Sequence, residues 1–367
     1  MEKLHWQGAL APHILSPRFA SYGAFEEKRP VLVDCSLGVN PLDALHPQEP
    51  LPVAAAAYAG YPAGGAHGHK ALAEYIAGRW PSVSPEEISF GAGSQGAISS
   101  LSRILGGPEV LIQGFLPQFI PALLEFATVG ARVETFSLPG PDFAPDADLL
   151  AGRVREGVTL LYLDNPNNPT GSALPLEALD RLAAACAAKG TLLLVDEAYG
   201  DFVDDAESAL NLKRDNIICT RSFSKGCGLA GLRLGYIVIR DPALRRCYRE
   251  LGLHFSSSAL AADLAARLLP GLDLPAMRVR MAELKRDLLQ FISGFTGFQV
   301  APTHPGSPII LLRRAGEGDL YNDLMDVGIQ TEPGFFFGLE GTQAVRLRAP
   351  SPGDFELFRS QWMRRFS

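Results

Sequence analysis

Apolar residues fall along this chain in two rhythms. Strand-length segments recur at 109–113, 131–136, 158–163, 191–195, 216–220 and 234–239, most of them dominated by consecutive apolar residues. Between them, helical spacing appears at 95–105, 118–128 and 176–188. A further helix is expected at 68–80, closed by Pro81, with a strand after it at 87–90. Continuous apolar strands alternating with helices predict an α/β fold, a mostly parallel sheet covered on both faces. After about residue 241 the pattern changes to long helices, a strand at 308–312 and a helix-strand-helix tail. That predicts a second, smaller α/β domain. The stretch before residue 52 is rich in Pro and Gly and reads as an extended arm with a short strand at 31–33. The expected division is therefore 1–52 as arm and part of the small domain, 53–250 as large domain and 251–367 as C-terminal small domain.

Composition narrows the function. Of 367 residues, 47% are hydrophobic and 20% charged, the balance of a globular protein. Net charge is −7 and no Lys/Arg block stands out, which argues against nucleic acid or an anionic membrane as partner. Five scattered cysteines, never in a CxxC pair, read as free thiols in a reducing cytoplasm. The N-terminus carries no apolar run after a basic stretch, so no signal peptide is expected, and no aliphatic run is long enough to span a bilayer.

Four short segments carry the candidate chemistry. Gly91-Ala92-Gly93-Ser94-Gln95-Gly96 fits G-x-G-x-x-G between a strand and a helix. The next strand ends Gln113-Gly114 and lacks the acid a dinucleotide ribose wants. Backbone N–H groups at a helix start still suit a phosphate, although the segment also reads as a plain tight turn. Asp164-Asn165-Pro166-Asn167-Asn168-Pro169-Thr170-Gly171 builds a rigid loop at a strand's C-terminal end, where open α/β sheets place ligands. Asp196, which opens Asp196-Glu197-Ala198-Tyr199, ends a buried strand, and such a carboxylate wants a cation; a protonated pyridine nitrogen is one, a helix N-cap the structural alternative. Lys225, closing Ser222-Phe223-Ser224-Lys225, sits among small and apolar residues that lower an amine's pKa and make it a nucleophile toward carbonyls. Ser222, Ser224 and Arg233 suit a phosphate.

With these segments in this order, the chain resembles the fold-type I pyridoxal-5′-phosphate (PLP) enzymes, class I/II aminotransferases. The resemblance is nearest to the branch of histidinol-phosphate aminotransferase and threonine-phosphate decarboxylase. It rests on Asn165 to Gly171, Asp196 to Tyr199, Ser222 to Lys225 and Leu229 to Tyr236, and covers nearly the whole chain. It implies that Lys225 holds PLP as a Schiff base and moves the proton at the substrate Cα. Asp196 would pair with the pyridine nitrogen, and Asn168 and Tyr199 with the ring hydroxyl. Gly93, Ser94, Gln95, Ser222, Ser224 and Arg233 would hold the phosphate, and Phe119 would stack on the ring where a Tyr is usual. Tyr61 would reach the phosphate from the other subunit of a homodimer. Arg346, or Arg348 if the register slips, would clamp the substrate carboxylate, and Asn40 belongs to an arm closing over it.

The resemblance breaks in three places. Where histidinol-phosphate enzymes carry an arginine for the substrate phosphate, Gly328-Ile329-Gln330-Thr331-Glu332 places Glu332. An acid repels a phosphate dianion, so Glu332 either faces solvent or favours a substrate with a cationic side chain. The turn has Ser94-Gln95 where relatives often carry Asp or Glu, and His67-Gly68-His69 lacks the partners for a metal site. An aminotransferase passing an amino group between an L-amino acid and a 2-oxo acid is the leading expectation. A threonine-phosphate type decarboxylase, and elimination, cyclisation or oxidation of an arginine-like amino acid, stay open. A PLP-binding transcription regulator is disfavoured because only about 40 residues precede the Asn40-Pro41 motif.

Overall fold

The structure is a computed structural model that describes residues 29–42, 52, 69–140, 142–316, 318–341 and 343–367. After a two-residue strand β1 (Val33–Asp34) come α1 (Lys70–Arg79), β2 (Ile88–Gly91), α2 (Gly93–Ser102), β3 (Leu111–Leu116), α3 (Ile120–Thr128) and β4 (Arg132–Ser137). Next are α4 (Ala147–Arg153), β5 (Leu160–Asp164), α5 (Leu176–Ala187), β6 (Leu192–Glu197), β7 (Ile217–Ser222) and β8 (Gly235–Ile239). Strands β2 to β8 form one seven-stranded sheet in the order β2-β8-β7-β6-β5-β3-β4. Only β8 runs antiparallel to its neighbours.

The apolar runs are explained by two-sided burial. Leu161, Leu163, Leu193, Val195, Ile217 and Cys219 point into one core. Leu160, Tyr162, Leu194, Ile218, Ile237 and Ile239 point into another, packed under α2 and α3. Strand alternation thus sorts every second residue to the α2/α3 face.

The C-terminal part contributes α6 (Pro242–Leu251), α7 (Ala259–Leu268), α8 (Leu274–Ser293), β9 (Phe298–Val300), β10 (Ile309–Arg314) and α9 (Leu320–Met325). It ends with β11 (Ile329–Gln330), β12 (Glu332–Pro333), β13 (Ala344–Arg348) and α10 (Phe355–Phe366). Four of these strands make an antiparallel sheet, β12-β13-β10-β9. The arm joins this part, since β1 pairs in parallel with β11 and Arg348 N donates to Cys35 O at 2.9 Å.

Three expectations shift. The arm strand is Val33–Asp34 rather than 31–33, because Leu32 N and Val33 N both donate to the single carbonyl of Gly328, and β pairing begins only there. Helix α2 begins at Gly93, inside the Gly-rich motif, not at residue 95. Helix α4 has no counterpart in the expected pattern: it is seven residues long and owes its start to an Asp146 cap on Leu149 N, a local bond that leaves no periodic signature. No helix among the described residues is long and apolar enough to cross a membrane.

Candidate active site

Strands β5, β6 and β7 end side by side, and the loops leaving them wall a cavity of about 150 Å³. In a parallel sheet, register sets which ends meet. Asp164 lies opposite Asp196, and Asp196 opposite Thr220. Tyr162 and Asp164 share a strand face by the two-residue alternation. The result is a polar floor where three apolar strands finish.

Asp196 is 3% exposed. The hydrogen-bond donors on its carboxylate are neutral: Tyr162 Oη at 3.1 Å, Thr220 Oγ1 at 2.9 Å and Ala198 N at 3.2 Å. Burial pushes this carboxyl up to about 6, with the donors opposing. It is a desolvated acid that a cation in the cavity would stabilise. Sequence reasoning missed Tyr162 and Thr220. Tyr162 was absorbed into an apolar run, although it lies two residues before Asp164 on the same face.

Lys225 follows β7 and is half-buried, with Nζ 5.5 Å from the centre of the Tyr199 ring. Burial, then the positive fields of Arg346 and Arg233, pull its amine down to about 8 against the opposing charges of Asp196 and Glu332. An amine so placed is partly neutral near pH 8 and can act as a nucleophile. At the far side of the cavity is the start of α2. Gly93 has φ +76°, and a Cβ there would stand 3.1 Å from Arg233 Nη2, so this side chain and the backbone turn pack closely only because position 93 is glycine. Arg233 Nη1 donates to Ser224 Oγ at 3.2 Å, and Ser224 N donates to Ser222 Oγ at 3.2 Å. A helix N-terminus, a guanidinium and two hydroxyls converge there as an anion cradle. Gln95 joins through its backbone, because its side-chain amide is turned away to Glu125 Oε1 (2.7 Å) and Pro121 O (3.2 Å).

Arg346, on β13, reaches the same cavity. Its Nη1 donates to Asn168 Oδ1 at 3.0 Å, its Nη2 donates to Ser36 O, and its guanidinium lies 5.1 Å from the centre of the Phe337 ring. Arg348 points elsewhere, to Ala349 O and Asp34 O, so the register alternative falls to Arg346.

Of the residues singled out from sequence, Gly93, Ser94, Gln95, Phe119, Asn168, Asp196, Tyr199, Ser222, Ser224, Lys225, Arg233 and Arg346 all line the cavity. Asn40 and Glu332 are not among its lining residues. Asn40 Nδ2 donates to Gly226 O at 2.9 Å and so ties the arm to the Lys225 loop. Gly38 of the arm lies against Tyr199, whose Oη would be 1.7 Å from a Cβ built there. Glu332 faces Arg346 across the β12/β13 pair, its carboxylate 3.9 Å from Nη2 and 16% exposed. Burial raises the Glu332 carboxyl, and the neighbouring guanidinium works against that rise. Tyr61 lies outside the described residues.

Pyridoxal 5′-phosphate has three chemical handles, an aldehyde, a basic ring nitrogen and a phosphate. Lys225, Asp196 and the anion cradle offer each one its match around a single cavity. Fold and site together define a pyridoxal-phosphate enzyme of fold type I. The family model described as aminotransferase class I and II matches residues 47–356, and the chain belongs to that family. It is 34% identical to the histidinol-phosphate aminotransferase of Haloferax volcanii over 230 residues, 60% of this chain and 61% of that relative. It is 30% identical to the aromatic amino acid aminotransferase of Nocardia farcinica over 299 residues, 78% of each chain. A PLP-dependent aminotransferase from Streptococcus suis shares the fold with a TM-score of 0.75 at 20% identity, covering 92% of this chain and 94% of that one. The chain thus matches less than two thirds of the length of the Haloferax relative.

Proposed function

We propose that this protein is an aminotransferase that moves an amino group between an L-amino acid and a 2-oxo acid, with Lys225 as its catalytic residue. The observation that carries the proposal is the Lys225 amine in one cavity with Asp196 at the floor and Arg346 at the wall. The cofactor, when bound, supplies an electron sink for charge that develops at the substrate α-carbon. Asp196 would keep the ring nitrogen protonated, and Tyr162 and Thr220 hold that carboxylate in place. Asn168 and Tyr199 would meet the ring hydroxyl, and Phe119 would cover the ring. Gly93, Ser94, Gln95, Ser222, Ser224 and Arg233 would hold the phosphate, with Tyr61 of a partner subunit completing it in a homodimer. Arg346 would bind the substrate α-carboxylate and so fix which Cα bond faces Lys225. Lys225 Nζ would then take the proton from that Cα. Asn40 would set the arm against the Lys225 loop. Residues 53–250 would form the large domain, with 1–52 and 251–367 making the arm and small domain of a cytoplasmic enzyme.

The Haloferax relative is named for a phosphorylated substrate. Here Glu332 sets a negative charge beside the carboxylate clamp, which favours an amino acid without a phosphate. The test uses purified protein with PLP. Borohydride should fix the cofactor to Lys225, and Lys225→Ala should lose the visible colour. A screen of amino acids, with and without phosphate esters, should then find one that converts the cofactor to its amine form. Release of CO2 without that conversion would refute transamination, and failure of the wild type to bind PLP would refute the whole assignment.

A further inference from the structure

A second buried carboxylate lines the cofactor cavity. Asp164 is 4% exposed and lies in register with Asp196 on the adjacent strand. Its Oδ2 accepts from two backbone N–H groups on separate loops, Phe119 N at 3.1 Å and Asn168 N at 3.0 Å. Its Oδ1 accepts from Asn167 Nδ2 at 2.9 Å. Phe119 begins the turn into α3, and Asn168 belongs to the loop leaving β5; nothing in the chain order brings them together. One carboxylate oxygen holds both.

We propose that Asp164 is a positioning residue of the cofactor site, fastening the Phe119 turn to the Asn168 loop so that both side chains meet the ring at a fixed separation. The inference rests on the cofactor assignment above. An asparagine has one acceptor oxygen and one donor nitrogen. Asp164→Asn can keep the Oδ2 bonds only by turning an NH2 group toward the NH2 of Asn167, or keep Asn167 and turn an NH2 toward both backbone donors. Either choice opens the joint on one side. The charge matters as well. The charged groups facing this cavity are Asp196 from β6, Lys225 and Arg233 from the loop after β7, and Arg346 from β13. Above pH 7, where the Asp164 carboxyl is ionised, deleting its charge disfavours a protonated centre on the bound cofactor.

The experiment compares wild type, Asp164→Asn and Asn167→Ala. It reads PLP affinity by titrating cofactor-free protein, the pH midpoint of the bound cofactor's visible absorbance, and the melting temperature of the cofactor-free protein. Asp164→Asn should bind PLP at least about tenfold more weakly, the scale of one lost charged hydrogen bond, and its absorbance midpoint should move to lower pH. Asn167→Ala cuts the links of Asn167 to Pro117 O and Thr170 as well as its bond to Oδ1, but it keeps the Asp164 charge, so its absorbance midpoint should stay at the wild-type value even where its affinity falls. Wild-type affinity and midpoint in Asp164→Asn, with only a lower melting temperature, would overturn the proposal. So would equal midpoint shifts in both variants, which would mean general loosening of the loop. If Asp164→Asn does not fold, Asp164→Ser and Asp164→Glu are read in the same way. Wild-type protein that binds no PLP would instead sink the cofactor assignment, so the two failures are distinct.

Discussion

Replacing Arg346 with Met removes a buried positive charge and keeps much of the side chain's length. The guanidinium is 1% exposed and is held by Asn168, by Ser36 O and by the ring of Phe337. Its strength as a carboxylate clamp comes from that preorganisation, since its orientation is set before substrate arrives. Breaking a desolvated charge pair of this kind costs ~2–5 kcal/mol, which at 1.36 kcal/mol per tenfold is a fall of roughly 30- to 5,000-fold in kcat/KM for an amino acid. A second consequence is local. Glu332 lies 3.9 Å from the guanidinium, and losing that cation should drive its carboxyl further up. Arg346→Met with Glu332→Gln should therefore recover part of the structural loss, seen in melting temperature, without recovering the substrate effect. The assay is the single-turnover reaction of cofactor-loaded protein with an amino acid, followed by the visible spectrum. The matching amine without a carboxylate is the control, and Arg346→Met should slow its reaction far less than that of the amino acid. A kcat/KM for the amino acid within about threefold of wild type, under 1 kcal/mol, would refute the clamp. So would an equal loss on the amine, which would locate the damage in the cofactor.

Two of the buried acids weaken the fold as pH rises. Burial lifts Asp164 to about 7 and Asp196 to about 6, so between roughly pH 4 and 7 these two carboxyls hold more protons in the folded chain than in the unfolded one. Cofactor-free wild type should lose stability across this window relative to Asp196→Asn, by on the order of 2–3 kcal/mol for a shift of about two pH units. Melting temperatures of both proteins from pH 4 to 7 test this, and a constant gap would contradict it. Gly171 has φ +74°, and a Cβ there would lie 2.4 Å from Ile309 O. Gly171→Ala should cost at least ~1–3 kcal/mol from backbone strain alone. Because Gly171 O also accepts from His304 N at 2.8 Å, the variant should retain cofactor less well in a desalting assay; wild-type melting and retention would show that the small-domain loop yields easily.

Behind the Lys225 loop lies a network the sequence could not suggest. Arg221 bridges Glu197 at 2.6 Å and Asp201 at 2.7 Å, and Arg79 reaches Asp201 at 2.9 Å. Asp201 is held well below the usual carboxylate range by Arg221 and Arg79, whose charges outweigh its burial. Its members come from α1, the end of β6, the turn after it and β7, and their pairing is a matter of packing alone. The same holds for Asp164: in the sequence it opens an Asn/Pro loop, while in the fold it joins that loop to Phe119.

What the sequence determined by itself was local and periodic. Apolar runs identified strands buried on both faces, and the dense motifs around Gly93, Asn168, Asp196 and Lys225 pointed to the cofactor through the family resemblance that they carry. What only the tertiary structure decided was adjacency across strands. The parallel register set Asp196 between Asp164 on one neighbouring strand and Thr220 on the other, and antiparallel pairing set Glu332 against Arg346. Register depends on how whole strands pack, and no local pattern encodes it. The cofactor chemistry was therefore legible along the chain, while the residues that tune it and set its substrate emerge where distant strands meet.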